Sequence, residues 1–303
     1  MLSLRISIVQ YLNTAPLVRG FTKGLGRGKY QLSFTVPSQC AEALRSGAVD
    51  VAIIPVIEYQ RIPDLVVLPN LSISSKRAVR SLLLISRKPL AEVRRIALDR
   101  SSRSTQALVR ILCADRWKIS PEFFEAPPDL PTMLRQADAV LLIGDPALQV
   151  SLDCEPRARR NAAGGLLCPA EAVGLPSPEP VLVYDVVEEW RGLTGLPAVL
   201  AFWAARRDAV TPEVVHDFQE SLAFGMRQIK EIAAESSHEL GLPAEKLERY
   251  LTENIDYTLD EENLRGLQQY FALAAELGLI GCAREVEMAA GAKCAELASV
   301  RRA

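Results

Sequence analysis

The residues that could do chemistry in this chain are short, polar and mostly uncharged, and they follow apolar runs. Tyr11-Leu12-Asn13-Thr14 comes after one run, Ser38 after the next and Pro55 after a third. Asp99 and Ser101-Ser102-Arg103-Ser104-Thr105 follow another, and Gly144-Asp145-Pro146 a fifth. In open α/β sheets, ligands bind beyond the carboxyl ends of the strands, so these are the positions to weigh. A helix start offers unpaired N–H groups and the positive end of its dipole. Hydroxyl and amide side chains beside it add neutral hydrogen bonds. The combination suits a carboxylate, with Ser102, Ser104 and Thr105 as its grip and Tyr11, Ser38, Pro55, Ser101 and Gly144 on the same rim. The same residue types are ordinary helix caps, and spacing alone leaves both readings open, for Asn13-Thr14 as for the serine run.

Two further side chains stand out. Asp145 reads either as the cap of a strand-ending turn or as a general base that orients a ligand. Ser81 is polar inside an otherwise apolar strand, a sign either of a solvent-facing edge or of a hydroxyl aimed into a cleft. Asn13, Ser81 and Asp145 are therefore the catalytic candidates. Other chemistries lack their residues. His216 and His238 fall in helical stretches away from the strand ends, where packing or surface roles are expected. No nucleophile elbow, phosphate-binding loop, dinucleotide fingerprint or zinc-protease helix motif occurs. The six cysteines (Cys40, Cys113, Cys154, Cys168, Cys282 and Cys294) form no CxxC pair. They are expected to be reduced thiols, with no metal site and no cofactor.

With 35 basic against 37 acidic residues, the formal net charge is -2, which gives no pull toward nucleic acid. The densest basic run, Arg157-Ala158-Arg159-Arg160, lies in a Pro/Gly-rich stretch and reads as a solvated loop. No signal peptide and no run of about 18 apolar residues is present, so export and membrane spanning are disfavoured and a cytoplasmic protein is expected.

The elements that must position these residues alternate between strand and helix. Strands are expected at residues 5–9, 31–36, 49–55, 66–68, 81–86, 95–98, 139–143, 181–184 and 199–205. Helices are expected at 14–20, 39–46 (capped by Ser38), 106–117, 132–136, 213–234, 244–253 and 260–279, with a helical Ala-rich tail over 283–303. Residues 155–180 read as loop. The βαβ order favours a mostly parallel sheet. Two apolar strands, at 81–86 and 199–205, bracket the second α/β unit. If both cross between lobes, residues 1–86 plus 198–303 form a discontinuous first lobe and 87–197 an inserted second one. A two-crossover hinge of this kind closes over a ligand.

Several segments, taken in order, resemble the MqnA/MqnD family of the futalosine route to menaquinone. Ser7-Ile8-Val9-Gln10-Tyr11-Leu12-Asn13-Thr14 is similar to the opening of the MqnA branch, and residues 50–59, ending Pro55-Val56-Ile57-Glu58-Tyr59, to its second signature. Val79-Arg80-Ser81, the run from Ala97 to Ser104, Leu142-Ile143-Gly144-Asp145-Pro146, Glu188-Glu189-Trp190 and Thr194-Gly195-Leu196-Pro197 follow in family order. The likeness extends over residues 4–280. The Cys-Pro-Asn-Asp type opening of the sister branch, which makes 1,4-dihydroxy-6-naphthoate, is not found. Val56 stands where relatives often carry serine, and Lys76-Arg77 replaces a more neutral turn.

The resemblance implies a type II periplasmic-binding-protein fold used as an enzyme: two α/β lobes with a cleft between them. It implies loss of water from chorismate, a dicarboxylate, to give 3-[(1-carboxyvinyl)oxy]benzoate. Asn13 and Ser81 would orient the reacting centre, and the serine run would bind a carboxylate. Asp145 and the substrate's own enolpyruvyl carboxylate are both candidates for the base. A non-catalytic small-anion binder and the sister-branch reaction are the alternatives, and a homodimer is left open.

Overall fold

The computed structural model describes residues 3–155, 159–160, 165–175 and 179–289. β1 (Arg5–Val9) is buried at every position after Arg5, so it forms the spine of the first sheet. α1 (Ala15–Thr22) follows after a short 3-10 turn at Leu12–Thr14, with Pro16 in its first turn, where its missing N–H costs nothing. β2 (Gln31–Thr35), α2 (Pro37–Arg45), β3 (Val51–Pro55), α3 (Val56–Arg61) and β4 (Leu65–Ser75) complete the first pass. The second unit contains β5 (Leu82–Ser86), β6 (Arg95–Asp99), α4 (Arg103–Ile111), β7 (Glu122–Ala126), α5 (Leu130–Gln136), β8 (Ala139–Ile143) and α6 (Gly144–Cys154). It ends with β9 (Arg159–Arg160), β10 (Leu166–Cys168), β11 (Val181–Asp185) and α7 (Val186–Thr194). β12 (Ala198–Arg206) then returns to the first sheet.

The first sheet has strand order β2-β1-β3-β12-β4 and the second β7-β6-β8-β5-β11-β10-β9. Both are mixed rather than mostly parallel. β1 runs parallel to β2 and β3, and β6 parallel to β7 and β8, but β12 is antiparallel to both neighbours. β5 is antiparallel to β8 and to β11. β5 therefore hydrogen-bonds into the second sheet, and the first crossing is residues 76–81, ahead of that strand. The return crossing lies between α7 and β12. One core of buried side chains runs continuously from the first sheet into the second, and a smaller one fills the far face of the second sheet.

Several elements differ from the sequence reading. Ser38 is not a cap: α2 starts at Pro37, with Val36 in the cap position. β4 is 11 residues long, because β12 pairs with it from Leu65, opposite Arg206, to Ser75, opposite Ala198. Gly144-Asp145-Pro146 opens α6 instead of ending in a turn. The long C-terminal helix divides at Gln228 into α8 (Pro212–Arg227) and α9 (Ile229–Leu240). α10 (Ala244–Arg249) passes into a wide-pitch turn, Tyr250–Asn254, before α11 (Glu261–Glu276).

The stretch read as loop carries β10, which pairs antiparallel with β11 and brings Cys168 beside the last turn of α6. There Cys168 is bonded to Cys154, with Cα atoms 5.3 Å apart, so the expectation of six reduced thiols fails at this pair. Cys40 and Cys113 are free and buried and Cys282 is free and exposed, while Cys294, like Arg157 and Ala158, lies outside the described residues. Burial pushes the Cys40 thiol up to about 11 and the Cys113 thiol up to about 12, so both are unreactive near neutrality. The tail is extended, not helical, as far as it is described: Val67 N–H donates to Glu287 O (2.9 Å) and Ala289 N–H to Val67 O (2.8 Å). No helix among the described residues is long and apolar enough to cross a membrane.

The placement of Asn13 depends on α1, and α1 is set by its contact with α8. Ser221 Oγ donates to Leu17 O (2.8 Å) and accepts from Gly20 N–H (3.1 Å). A Cβ at Gly225 would fall 2.0 Å from Pro16 O, so only glycine permits this approach. Gly225→Ala should therefore force the two helices apart, destabilising the fold by about 1–3 kcal/mol. Urea unfolding of the variant against the parent checks this.

Candidate active site

Between the two sheets lies a small cavity whose walls are the strand ends singled out by sequence. Tyr11 and Asn13 come from the turn after β1, Pro37 and Pro55 from the starts of α2 and α3, Ser102 and Thr105 from the start of α4, and Gly144 from the start of α6. Val9, Ile73, Leu82, Ile143, Leu200 and Ala201 supply apolar surface. The walls leave about 50 Å³ for water-sized molecules, well below the roughly 300 Å³ of an ordinary ligand pocket. A ligand of ordinary size therefore fits only if the lobes part.

Four helices begin at this cavity. α2 and α4 have nine residues each and α6 has 11, enough for a dipole equivalent to about half a positive charge at each start. No lysine, arginine or histidine is among the lining residues. Arg103, in the middle of the serine run, is turned away: its guanidinium reaches Glu58 (3.0 Å) and Glu42 (2.7 Å). Glu58 is fully buried and also pairs with Arg45 and Arg61. The field in the cavity thus comes from backbone dipoles and neutral donors.

The candidate residues divide into those that face the cavity and those that join its walls. Asn13 and Thr14 are buried, and Thr14 Oγ1 donates to Asn13 Oδ1 (3.3 Å). Ser102 occupies the cap position of α4, but its hydroxyl donates to Thr105 Oγ1 (2.8 Å) rather than to the backbone. Tyr11 approaches Ser101 Oγ at 3.4 Å, and burial pushes its phenol up to about 12. Gly144 has φ of +70°, and a Cβ there would fall 2.6 Å from the Tyr11 ring. Glycine is required twice over at this position, by the backbone and by the ring.

Ser101 serves Asp99, donating both its N–H (2.9 Å) and its hydroxyl (2.6 Å) to Oδ1. Asp99 is fully buried, and burial raises its pKa. Ser38 contributes its backbone, donating N–H to Ser101 O (3.1 Å). The Ser104 hydroxyl accepts from Ile57 N–H (3.1 Å), and Ser104 O accepts from the Tyr270 hydroxyl (2.9 Å). Asp145 accepts Leu12 N–H at 3.0 and 3.3 Å. Ser38, Ser101, Ser104 and Asp145 therefore lie along the seam between the lobes, beside the cavity, and Asp145 is turned to the backbone of the opposite lobe.

Ser81 immediately precedes β5 and is fully buried; its carbonyl accepts Gly144 N–H (2.8 Å) and its hydroxyl accepts from Tyr250 (2.9 Å). Tyr250 carries no sequence signal: it is one apolar position in a helical stretch 169 residues from Ser81. His216 and His238 lie on α8 and α9, away from the cavity. Among the described residues no cluster of His, Cys, Asp or Glu could hold a metal.

Comparison with known proteins gives both a family and a fold. The model of a family described as menaquinone biosynthesis matches residues 4–276. The chorismate dehydratase of Thermus thermophilus is 29% identical over 277 residues, covering 90% of this chain and 95% of that one. A protein of Archaeoglobus fulgidus superimposes with a TM-score of 0.68 at 18% identity, covering 91% of this chain and 98% of its own. The alkanesulfonate-binding protein of Xanthomonas axonopodis pv. citri, bound to MOPS, gives 0.63 at 18% identity, with 95% and 98% covered. A Candida albicans protein described as having the generic periplasmic binding protein fold gives 0.60 at 13% identity, with 94% and 93% covered. At these identities the solved structures establish the architecture alone: two α/β lobes of periplasmic-binding-protein type.

The seam makes a pH-dependent prediction. Burial outweighs the Leu12 hydrogen bond and raises the Asp145 carboxyl to about 6 from 3.8. The folded state therefore disfavours the ionised form, at a cost absent below pH 3.8 and complete above about pH 6. Asp145→Asn keeps an oxygen for Leu12 N–H and removes that cost. The variant should be more stable than the parent at pH 8 by on the order of 1–2 kcal/mol, and the gain should vanish by pH ~4. Thermal unfolding at both pH values reads it; a variant less stable at pH 8 would show that the Leu12 bond dominates.

Proposed function

The chain belongs to the menaquinone biosynthesis family, and from that membership we propose that it is a chorismate dehydratase, converting chorismate to 3-[(1-carboxyvinyl)oxy]benzoate. The observation that carries the reading is the closed cavity on which four helix starts and several uncharged donors converge. It is supported by the likeness to the Thermus enzyme along nearly the whole chain.

The chemistry is a redox-neutral elimination. The ring C3–H bond breaks, its electron pair delocalises through the adjacent double bond into the ring carboxylate, and the C4–O bond then breaks. Hydroxide leaves, takes up a proton and departs as water; the ring becomes aromatic, which drives the step. The protein must hold two carboxylates, stabilise the spreading charge and exclude bulk water. The starts of α4 and α6, with Ser102 and Thr105, face the ring carboxylate in this scheme, while Asn13 and Ser81 orient the enol ether and the leaving hydroxyl. Both carboxylate oxygens of Asp145 are engaged by Leu12 N–H. That geometry favours the substrate's enolpyruvyl carboxylate as the base, with the protein's task being to hold it against C3.

The test is incubation with chorismate and chromatographic detection of the aromatic product. Asn13→Ala and Ser81→Ala should each lower kcat by about 10²-fold, whereas Asp145→Asn should lower it less than about tenfold. Near-native turnover in both alanine variants would refute the assignment of those residues. Binding of chorismate without turnover by the parent protein would instead make the chain a binder of small anions.

A further inference from the structure

Ser81 sits at the end of the first crossing, where no regular element fixes it. Gly144 N–H holds its carbonyl, and the C-terminal helical region holds its side chain. The wide-pitch turn Tyr250–Asn254 lies against residues 76–81: Asn254 Nδ2 donates to Ala78 O (2.7 Å) and the Tyr250 hydroxyl to Ser81 Oγ (2.9 Å). The segment after the turn pairs with β4, Ser74 and Asp256 exchanging N–H···O bonds of 2.9 and 2.8 Å. Lys76, at the near end of the crossing, pairs with Asp256 (3.5 Å) and Asp260. The crossing is thus held at both ends by one stretch of chain.

The Tyr250 bond also sets a direction. The phenol is fully buried, and burial drives its ionisation far upward, so it keeps its proton and donates it. Ser81 Oγ receives that proton, and the serine's own proton is held only by a long bond to Val79 O (3.4 Å), which a closer acceptor on a ligand would displace.

We propose that Tyr250 is a positioning residue of the elimination: by donating to Ser81 Oγ, its hydroxyl directs the Ser81 proton at the substrate. The proposal rests on the dehydratase reading and extends it to a residue outside the segments that carry the family resemblance.

Steady-state kinetics of Tyr250→Phe with chorismate test it. In the parent background, kcat should fall about 10- to 100-fold with KM within about threefold. In a Ser81→Ala background, the same change should lower kcat no more than about threefold further, because the group it directs is gone. Asn254→Ala, which cuts the brace without touching Ser81, should keep kcat within about threefold while lowering the unfolding temperature. An equal penalty from Tyr250→Phe in both backgrounds, or an equal loss in Asn254→Ala, would overturn the proposal. Should Tyr250→Phe not fold, 3-fluorotyrosine at position 250 keeps the hydroxyl and makes it a stronger donor, at the expense of one small fluorine on the ring. Its kcat should change in the parent and not beside Ser81→Ala; the same change in both overturns the proposal. Absence of product with the unmodified protein would instead refute the dehydratase reading, and this proposal with it.

Discussion

The molecule is organised around one small cavity at which helix starts converge and which no cationic side chain lines. α2, α4 and α6 point their starts at one small apolar cavity, each offering backbone N–H groups that folding has already oriented. Fixed dipoles of this kind suit a reaction whose charge moves. A lysine or arginine against the ring carboxylate would hold the ground state about as firmly as the transition state, lowering KM without raising kcat. Preorganised N–H groups in a water-excluded cavity strengthen as charge arrives and need no reorganisation to do so. Arg103 shows the separation: it stands within the serine run, yet its charge is spent on Glu58 and Glu42 outside the cavity.

That requirement explains the seam. Dipoles act at this strength only when water is excluded, so the two sheets must close over the ligand. The bonds that close them are laid on the residues flanking the binding groups: Ser38 to Ser101, Ile57 to Ser104, Leu12 to Asp145, and Arg103 to the buried Glu58. Removing one member of such a buried charged cluster is costly because the remaining charges lose their partner. Closure is therefore coupled to correct placement of α4, since the same five-residue stretch supplies the cavity-lining hydroxyls of Ser102 and Thr105 and the seam contacts of Ser101, Arg103 and Ser104.

Much of this was legible in sequence because strand ends and helix starts leave local marks. The short apolar runs that became β1, β3, β6 and β8 are unambiguous, and the polar residues after them border one cavity as strand-end logic requires. What local pattern cannot carry is which of two neighbouring hydroxyls turns inward. Ser102 lines the cavity and Ser104 the seam, a distinction made by where Ile57 N–H falls in space, 47 residues away in sequence. The mixed sheets and the Cys154–Cys168 pair escaped for the same reason. The sheets are mixed because β12 returns antiparallel between β3 and β4 and β5 lies antiparallel to β8 and β11; the disulfide depends on β10 folding back beside β11, and the stretch leading into β10 is rich in Pro, Gly and Ala and offers no apolar alternation to announce it.

Tyr250 is the extreme case of that limit and shows what the C-terminal helices contribute. Residues 76–81 link the two sheets, and the role proposed for Ser81 requires its hydroxyl to be held in one place. Placing Ser81 within a regular strand would give it neighbours fixed in one lobe only. Tying it instead to Tyr250, and Ala78 to Asn254, references it to the helical region packed on the first sheet, where Asn13 also resides. Ser81 O meanwhile accepts Gly144 N–H from the second lobe. The serine is thus held from both sides, and its hydroxyl direction follows the lobe that carries Asn13. In an architecture shared with binding proteins, which need only grip their ligand, an added constraint on one hinge hydroxyl is the kind of change that turns closure into chemistry.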